Sequence, residues 1–474
     1  MSIKRTISFI LIISIALISI FALKNFSKNK HSQPNIILIS VDALRADHLP
    51  CYEYHRNTTP YICEFSEDSV LFKNTYSQGG CTPISISSLV TSKWPVDNGV
   101  RSWKDRINKN ITTVFEKLRG QGYNTFFYTD MLPKGCWEFL GPEVNIRKFE
   151  NPVDLLDNVE SNLKDSYGNF YYIHLFGGHI PYILDMHGNR ERFNEGIDIF
   201  NETIVKRLQD PGYYSSDEKE NIYKNLTPEE KNDVVQYMIN RYDEKIWNYD
   251  LMLGSFLESL RKMNKYNESI IILTADHGES FDSHNLYFDH GSIYNEVLRV
   301  PLIIKFPDNE YSNMEIEKAV RHIDVLPTIY SILEIEEVEE IEGKNLVQIF
   351  DNKKHNLKIY SNYRGAHSFI NGKYKYIYRN ISWKINFMKE NEKISEEDID
   401  VLENNINNIS KIEELYNIEK DPKERENLVT KRPEIKDKLH FELFGILKNS
   451  KNNNFNVSEE IKRNLKDLGY ADVA

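Results

Sequence analysis

Cysteine is scarce in this chain. Cys51, Cys63, Cys81 and Cys136 are four among 474 residues, too few for a disulfide scaffold, and neither their number nor their spacing makes a zinc site. Basic residues are not in excess either. Lys and Arg total 59 against 71 Asp and Glu, a net charge of −12. Phosphate backbones need a basic stripe, so nucleic acid is excluded as a general partner. Internal repeats are absent. What is present is a globular composition, 40% hydrophobic, 27% charged and 12% aromatic, which rules out a disordered or collagenous chain. The length allows a large core or two to three domains.

One long apolar run stands out. Residues 6–23 (TISFILIISIALISIFAL) carry no charge, follow Lys4 and Arg5 and precede Lys24. At about 1.5 Å per helical residue the run approaches the thickness of a bilayer core. No A-x-A-like cleavage site precedes Lys24, so an uncleaved single-pass anchor over residues 1–30 is expected, with a cleaved signal peptide as the competitor. Lys24, Lys28 and Lys30 put positive charge downstream as well, so charge alone does not orient the anchor. The expected location is the membrane, with the catalytic domain outside the cytoplasm.

From Pro34 onward strands and helices alternate. Short apolar, β-branched or aromatic runs occur at 35–41, 124–129, 169–175, 269–274 and 301–306. Between the third and fourth, Ile246, Tyr249, Leu253, Phe256 and Leu260 recur at helical spacing over 242–262. This alternation predicts an α/β fold with a parallel sheet covered on both faces over residues 34–350. The polar stretch 186–235 reads as a lid-like insertion over the sheet, not a separate domain. After about residue 355 the runs KIYSNY, HSFING and KYKYIYR predict a small antiparallel α+β subdomain over 351–474, and 383–412 reads as a surface excursion.

Chemistry gathers at the carboxyl ends of parallel strands. Asp42 follows the first run, and Asp276–His277–Gly278–Glu279 follows the fourth. Either alone is ordinary: Asp42 reads as a helix N-cap, and an Asp–His pair is common in loops. Together, two strand-end carboxylates and an imidazole suit one divalent ion, Mg, Mn, Ca or Zn.

These segments resemble the sulfatases of the alkaline phosphatase superfamily. The matching stretches run in family order from 35 to 470: NIILISVDALRADHL, LFKNTYSQGGCTPISISSLVTSKWPVDNGVR, YYIHLFGGHIPYI, RYDEKIWNYDLMLG, SIIILTADHGESFDSH, DHGSIYNEVLRVPLIIK, HIDVLPTIYSIL, EGKNLVQI, EELYNIEKDPKERENL and LKDLGY. The resemblance implies a nucleophile at a helix start inside a metal site. In sulfatases it is a cysteine in C-x-P-x-R, oxidised to formylglycine; in related phosphatases, phosphodiesterases and phosphoglycerol transferases it is Thr or Ser. Cys81 has Pro83 at the right spacing but Ser85 where Arg is expected. Phe72, Asn74 and Tyr76 lie ten, eight and six residues before position 82, and Thr91 lies nine after it; both flanks of the family pattern therefore count to Thr82. Sulfatases also show two consecutive Asp residues where this chain has Asp42–Ala43, which again matches the Thr-type, single-metal relatives.

Carried over residue by residue, the resemblance implies Asp42, Thr82, Asp276 and His277 as ligands of one divalent metal, with Thr82 as nucleophile. It implies His179 as a contact to the ester group and His290 as a general acid at the leaving oxygen. Arg101 and Lys134 are candidate anion contacts, His284 is a weaker neighbour, and His174 is expected to pack beneath the site. Arg45 and Asp47 should brace the first loop. The expected activity is metal-dependent hydrolysis of a sulfate or phosphate ester, on a glycan or a lipid. Two alternatives stay open: a membrane-anchored enzyme like the phosphoglycerol or phosphoethanolamine transferases, and a formylglycine sulfatase using Cys81.

Overall fold

The computed structural model describes residues 33–131, 137–164, 166–182, 192–193, 202–209, 216–336, 341–350, 358–380 and 413–450. The anchor expected over 1–30, the excursion at 383–412, the tail after 450 and Lys134 lie outside the described residues. Among the described residues no helix is long and apolar enough to cross a membrane.

The apolar runs become an eight-stranded sheet of β1 (Ile36–Val41), β2 (Val70–Tyr76), β3 (Asn124–Thr129), β4 (Ile146–Lys148), β5 (Asn169–Leu175), β6 (Ile270–Thr274), β9 (Arg299–Lys305) and β10 (Met314–Arg321). Its order is β10-β2-β9-β6-β1-β5-β3-β4. β1 pairs in parallel with both β5 and β6, so Ser40 stands beside His174 on one side and Thr274 on the other. The expected all-parallel sheet needs one correction. β9 runs antiparallel to both β2 and β6, because a continuous apolar run buried on both faces carries no mark of its direction.

Alternate residues of β1 feed two cores. Ile37, Ile39 and Val41 pack with Leu253, Phe256 and Leu260, whereas Ile36 and Leu38 pack with Ile86, Leu89 and Phe115. The covering helices include α1 (Pro60–Glu67), α2 (Thr82–Thr91), α3 (Val114–Gly120), α4 (Pro152–Leu163), α5 (Glu202–Leu208), α6 (Ser216–Lys224) and α7 (Pro228–Lys262). α7 begins 14 residues before the expected 242, and 35 residues long, it takes in the end of the supposed insertion. Its start is set by a capping box, in which Thr227 accepts from the Glu230 N–H and the Glu230 side chain accepts from the Thr227 N–H.

A two-stranded ribbon, β7 (Ser280–Ser283) with β8 (Leu286–Asp289), follows the DHGE segment. The C-terminal subdomain is an antiparallel sheet, β11 (Ile359–Tyr363), β12 (Ala366–Asn371), β13 (Tyr374–Arg379) and β14 (Glu413–Asn417), covered by α8 (Pro433–Asn449). β14 adds a fourth strand to the three expected. This sheet is joined to the large one at its functional end: Ser361 Oγ donates to Ser77 O (2.6 Å), and the Asn362 N–H donates to Gln78 O (3.0 Å). Cys51 and Cys63 form a disulfide, which their twelve-residue spacing did not reveal.

Candidate active site

Three neighbouring strands end at one place. Asp42 follows β1, Asp276 and His277 follow β6, and His174 is the penultimate residue of β5; all four are buried. Asp42, His174 and Asp276 offer ligand atoms within 4.8 Å of one another. His277 Nε2 lies 3.4 Å from Asp42 Oδ1 and 3.4 Å from Asp276 Oδ2. Its Nδ1 donates to the Gly278 carbonyl at 2.9 Å, which turns the Nε2 lone pair toward the carboxylates. Both Asp42 oxygens and Asp276 Oδ2 are buried without a hydrogen-bond partner. Acceptors converging with no donor among them are what a divalent cation satisfies. These residues therefore fit the metal expected from the sequence, and His174, expected to lie beneath the site, joins them: its Nε2 is 3.6 Å from Asp42 Oδ2.

The charges reflect this crowding. Burial and the neighbouring Asp276 hold the Asp42 carboxyl above its ordinary range. Burial acts on Asp276 in the same direction, but His277 and His174 overcome it and hold that carboxyl below its ordinary range.

The helix α2 delivers Thr82 to this cluster. Its Oγ1 is 3.3 Å from His277 Nε2. Thr82 is the first helical residue, and Cys81 is the N-cap. The Cys81 thiol is buried, and burial pushes its pKa up to about 12. Ser85, where a sulfatase Arg was sought, is wholly buried and donates to the Asp276 carbonyl (2.5 Å). α2 ends at Thr91 with Ser92 left-handed (φ 54°), at the place the sequence pattern indicated.

The histidines form a stack over the cluster. The His290 ring lies 4.4 Å from His277, nearly parallel, and 4.6 Å from His179. Burial, then His277, pushes the His290 pKa down to about 4; burial, then His290, holds His179 well below its ordinary value. His179 Nδ1 is bonded to the Ile180 carbonyl, leaving Nε2 for the site. The other candidates fall elsewhere. The Arg101 N–H is bonded to Asp105 (2.9 Å), and its charge acts on Tyr360 and His367 of the C-terminal sheet. His284 is bonded to Glu296 (2.9 Å) and to the Glu424 carbonyl (2.9 Å). Arg45 pairs with Asp47 (2.8 Å) and donates to the Glu279 carbonyl (2.8 Å), bracing the first loop against the DHGE segment.

Three residues near the site were given no role by the sequence reading. Lys245 reaches from α7 and donates to the carbonyls of His179 (2.7 Å) and Pro181 (3.2 Å). Burial lowers its pKa to about 8 even though Asp42, Asp130 and Glu279 oppose the fall. Glu279 is buried, and its Oε1 lies 3.9 Å from His290 Nδ1. Lys219, on α6 within the insertion, donates to the Phe288 carbonyl at 3.1 Å. A cation in mid-helix or in a polar insertion reads as solvated, so only the fold identifies the two lysines.

Residues 34–335 match the sulfatase family model, and residues 283–449 match that of the C-terminal region of N-sulphoglucosamine sulphohydrolase. The chain belongs to the sulfatase family. It is therefore an enzyme, a sulfuric ester hydrolase of the alkaline phosphatase superfamily. An arylsulfatase of Clostridium perfringens is 22% identical over 481 residues, spanning 86% of this chain and 92% of that protein. Among solved structures, the phosphonate monoester hydrolase of Agrobacterium radiobacter has the same fold, with a TM-score of 0.64 at 13% identity over 87% of this chain and 95% of that one. BT4656, described in complex with its substrate D-glucosamine-2-N,6-O-disulfate, gives a TM-score of 0.58 at 16% identity over 89% and 99%. Sulfatases of this kind bind a divalent metal, which agrees with the acceptor cluster.

Proposed function

We propose that this sulfatase is a metal-dependent hydrolase of sulfate or phosphate esters whose nucleophile is Thr82, with Asp42, Asp276, His277 and Thr82 holding one divalent ion. The observation that carries the reading is the Thr82 hydroxyl, 3.3 Å from His277 Nε2, at the start of α2. A divalent ion bound there supplies Lewis-acid polarisation of the ester and acidifies a hydroxyl that is inert by itself.

The chain's own groups do the rest. Free N–H groups at the start of α2 bind anionic oxygens of the ester, and His179 holds another. Thr82 Oγ, its proton released to solvent, forms the new bond to sulfur or phosphorus. The bond to the alcohol oxygen breaks, and His290 hands that oxygen a proton. Water then attacks the ester on Thr82, loses a proton to His290 and frees the acid and the Thr82 hydroxyl. The approaching anion raises the proton affinity of both histidines above that of the empty site.

The substrate class is an esterified glycan or lipid, and the sulfated sugar bound by BT4656 supports the glycan. The Cys51–Cys63 disulfide supports a catalytic domain outside the cytoplasm, since such bonds persist in oxidising compartments.

Paired substitutions test the nucleophile. Thr82→Ala should lower turnover by about a thousandfold or more, whereas Cys81→Ala should stay within about tenfold of wild type. Steady-state rates on an aryl sulfate and an aryl phosphate decide, with the phosphate turned over at least as readily. An inactive Cys81→Ala beside an active Thr82→Ala would return the protein to the formylglycine mechanism.

A further inference from the structure

The β11–β12 hairpin ends in a two-residue turn, Arg364–Gly365, closed by the Tyr363–Ala366 pair. Both turn residues have positive φ, 43° and 78°. Asn, Asp or Gly are the residues that adopt this conformation readily in a hairpin. The turn imposes this left-handed conformation on a long cationic side chain at its first position, where the residue type disfavours it, and such outliers gather at ligand sites.

The hairpin is not at a remote edge. Asn362 bridges to Gly79, three residues before Thr82, and Ser361 and Asn362 bond the carbonyls of Ser77 and Gln78. On the other side the Tyr363 hydroxyl sits over Gly291, so close that a Cβ there would come within 2.4 Å of it. The tip thus spans the loop carrying the nucleophile and the residue after His290. Arg364 is exposed, its guanidinium 5.5 Å from the Tyr363 ring centre.

We propose that Arg364 forms a second anion subsite, so that the substrate carries a further sulfate or carboxylate beside the ester that is cleaved. The inference rests on the hydrolase reading above and adds its substrate class: a polyanionic sugar, not a simple monoester. A guanidinium at the rim suits such a group because its planar fork meets carboxylate or sulfate oxygens two at a time. Its position on the C-terminal sheet separates it from the groups that act on the reacting ester.

Calorimetry on the full chain tests this with D-glucosamine-2-N,6-O-disulfate and D-glucosamine-6-O-sulfate as probes. Wild type should bind the disulfate about five- to tenfold more tightly. Arg364→Asn should erase that preference and leave the monosulfate affinity unchanged. Asn tolerates positive φ, so the variant's thermal midpoint should stay level or rise. A wild type without preference overturns the proposal, as does an Arg364→Asn chain that keeps the preference or loses both ligands equally. A 6-O-sulfated disaccharide whose second charge is a uronate separates the sources. Dependence on Arg364 with either second anion identifies the group, and dependence with neither overturns the subsite. Binding is read without turnover, so a chain that binds the disulfate through Arg364 yet cleaves no ester removes the hydrolase reading and leaves the subsite standing.

Discussion

At the scale of single residues, the acceptor cluster makes the firmest prediction. His277 Nε2 lies 3.4 Å from both Asp42 and Asp276, and Asp276 has a buried oxygen with no hydrogen-bond partner. Asp276→Asn removes a charge that no neighbour replaces. Metal affinity should fall by more than about a hundredfold, beyond the 10- to 100-fold typical of losing an outer partner. Elemental analysis after dialysis, and activity regained by adding a divalent ion to chelated wild type, measure it. Bound metal retained by the variant would place the ion elsewhere. Asp42, Asp276 and His277 could be singled out in the sequence because they lie just past two apolar strands, where parallel sheets gather their chemistry, and only their co-occurrence set them apart from an ordinary N-cap and an ordinary loop pair. His174 was not, because it sits inside the run NFYYIHL and looks like one more packed ring. Its part in the cluster appears only when β1 and β5 pair and bring Ser40 beside it.

At the scale of elements, α7 acts on the loop after β5 through Lys245. That loop is held from three sides: Asp130 accepts from the Phe176 N–H (2.8 Å), Lys245 bonds the carbonyls of His179 and Pro181, and Phe176 stacks on His179 at 4.7 Å. Lys245→Met keeps the length of the side chain but leaves two carbonyls without their donor, each worth about 1–3 kcal/mol when buried. The expected result is a fall in kcat/KM of about ten- to a hundredfold with metal content unchanged, because small displacements of a positioned group carry that penalty. Lys245→Arg should recover part of it. Equal loss of metal and activity in both variants would make Lys245 a residue of the fold alone. The periodicity of Ile246 to Leu260 identified the buried half of α7, and those residues are buried as expected. Its first half is polar, and only the Thr227–Glu230 box marks where it starts. The strands were legible for the same reason that β9 misled: apolar runs say that a strand is buried, and nothing in them says which way it points.

At the scale of the whole molecule, no candidate catalytic residue precedes Asp42, and the described fold begins at residue 33. A chain starting at Ser32 should therefore be soluble and keep the kcat/KM of the full-length protein, while the full-length protein should sediment with membranes. A soluble full-length protein with a mature N-terminus near Ser27 or later would replace the anchor with a cleaved leader. The sheet order carries one more consequence, for the sequence of events during synthesis. Among the described residues β2 meets the rest of the sheet only through β9 and β10, both of which are translated more than 200 residues after it. Until residue 305 has emerged, a nascent chain can pair β1 with β5 and β6 but has no partner for the strand that leads to Cys81 and Thr82. That segment is thus the last part of the site to be enclosed, and for most of translation both side chains stay open to whatever modifies or inspects an unfinished chain.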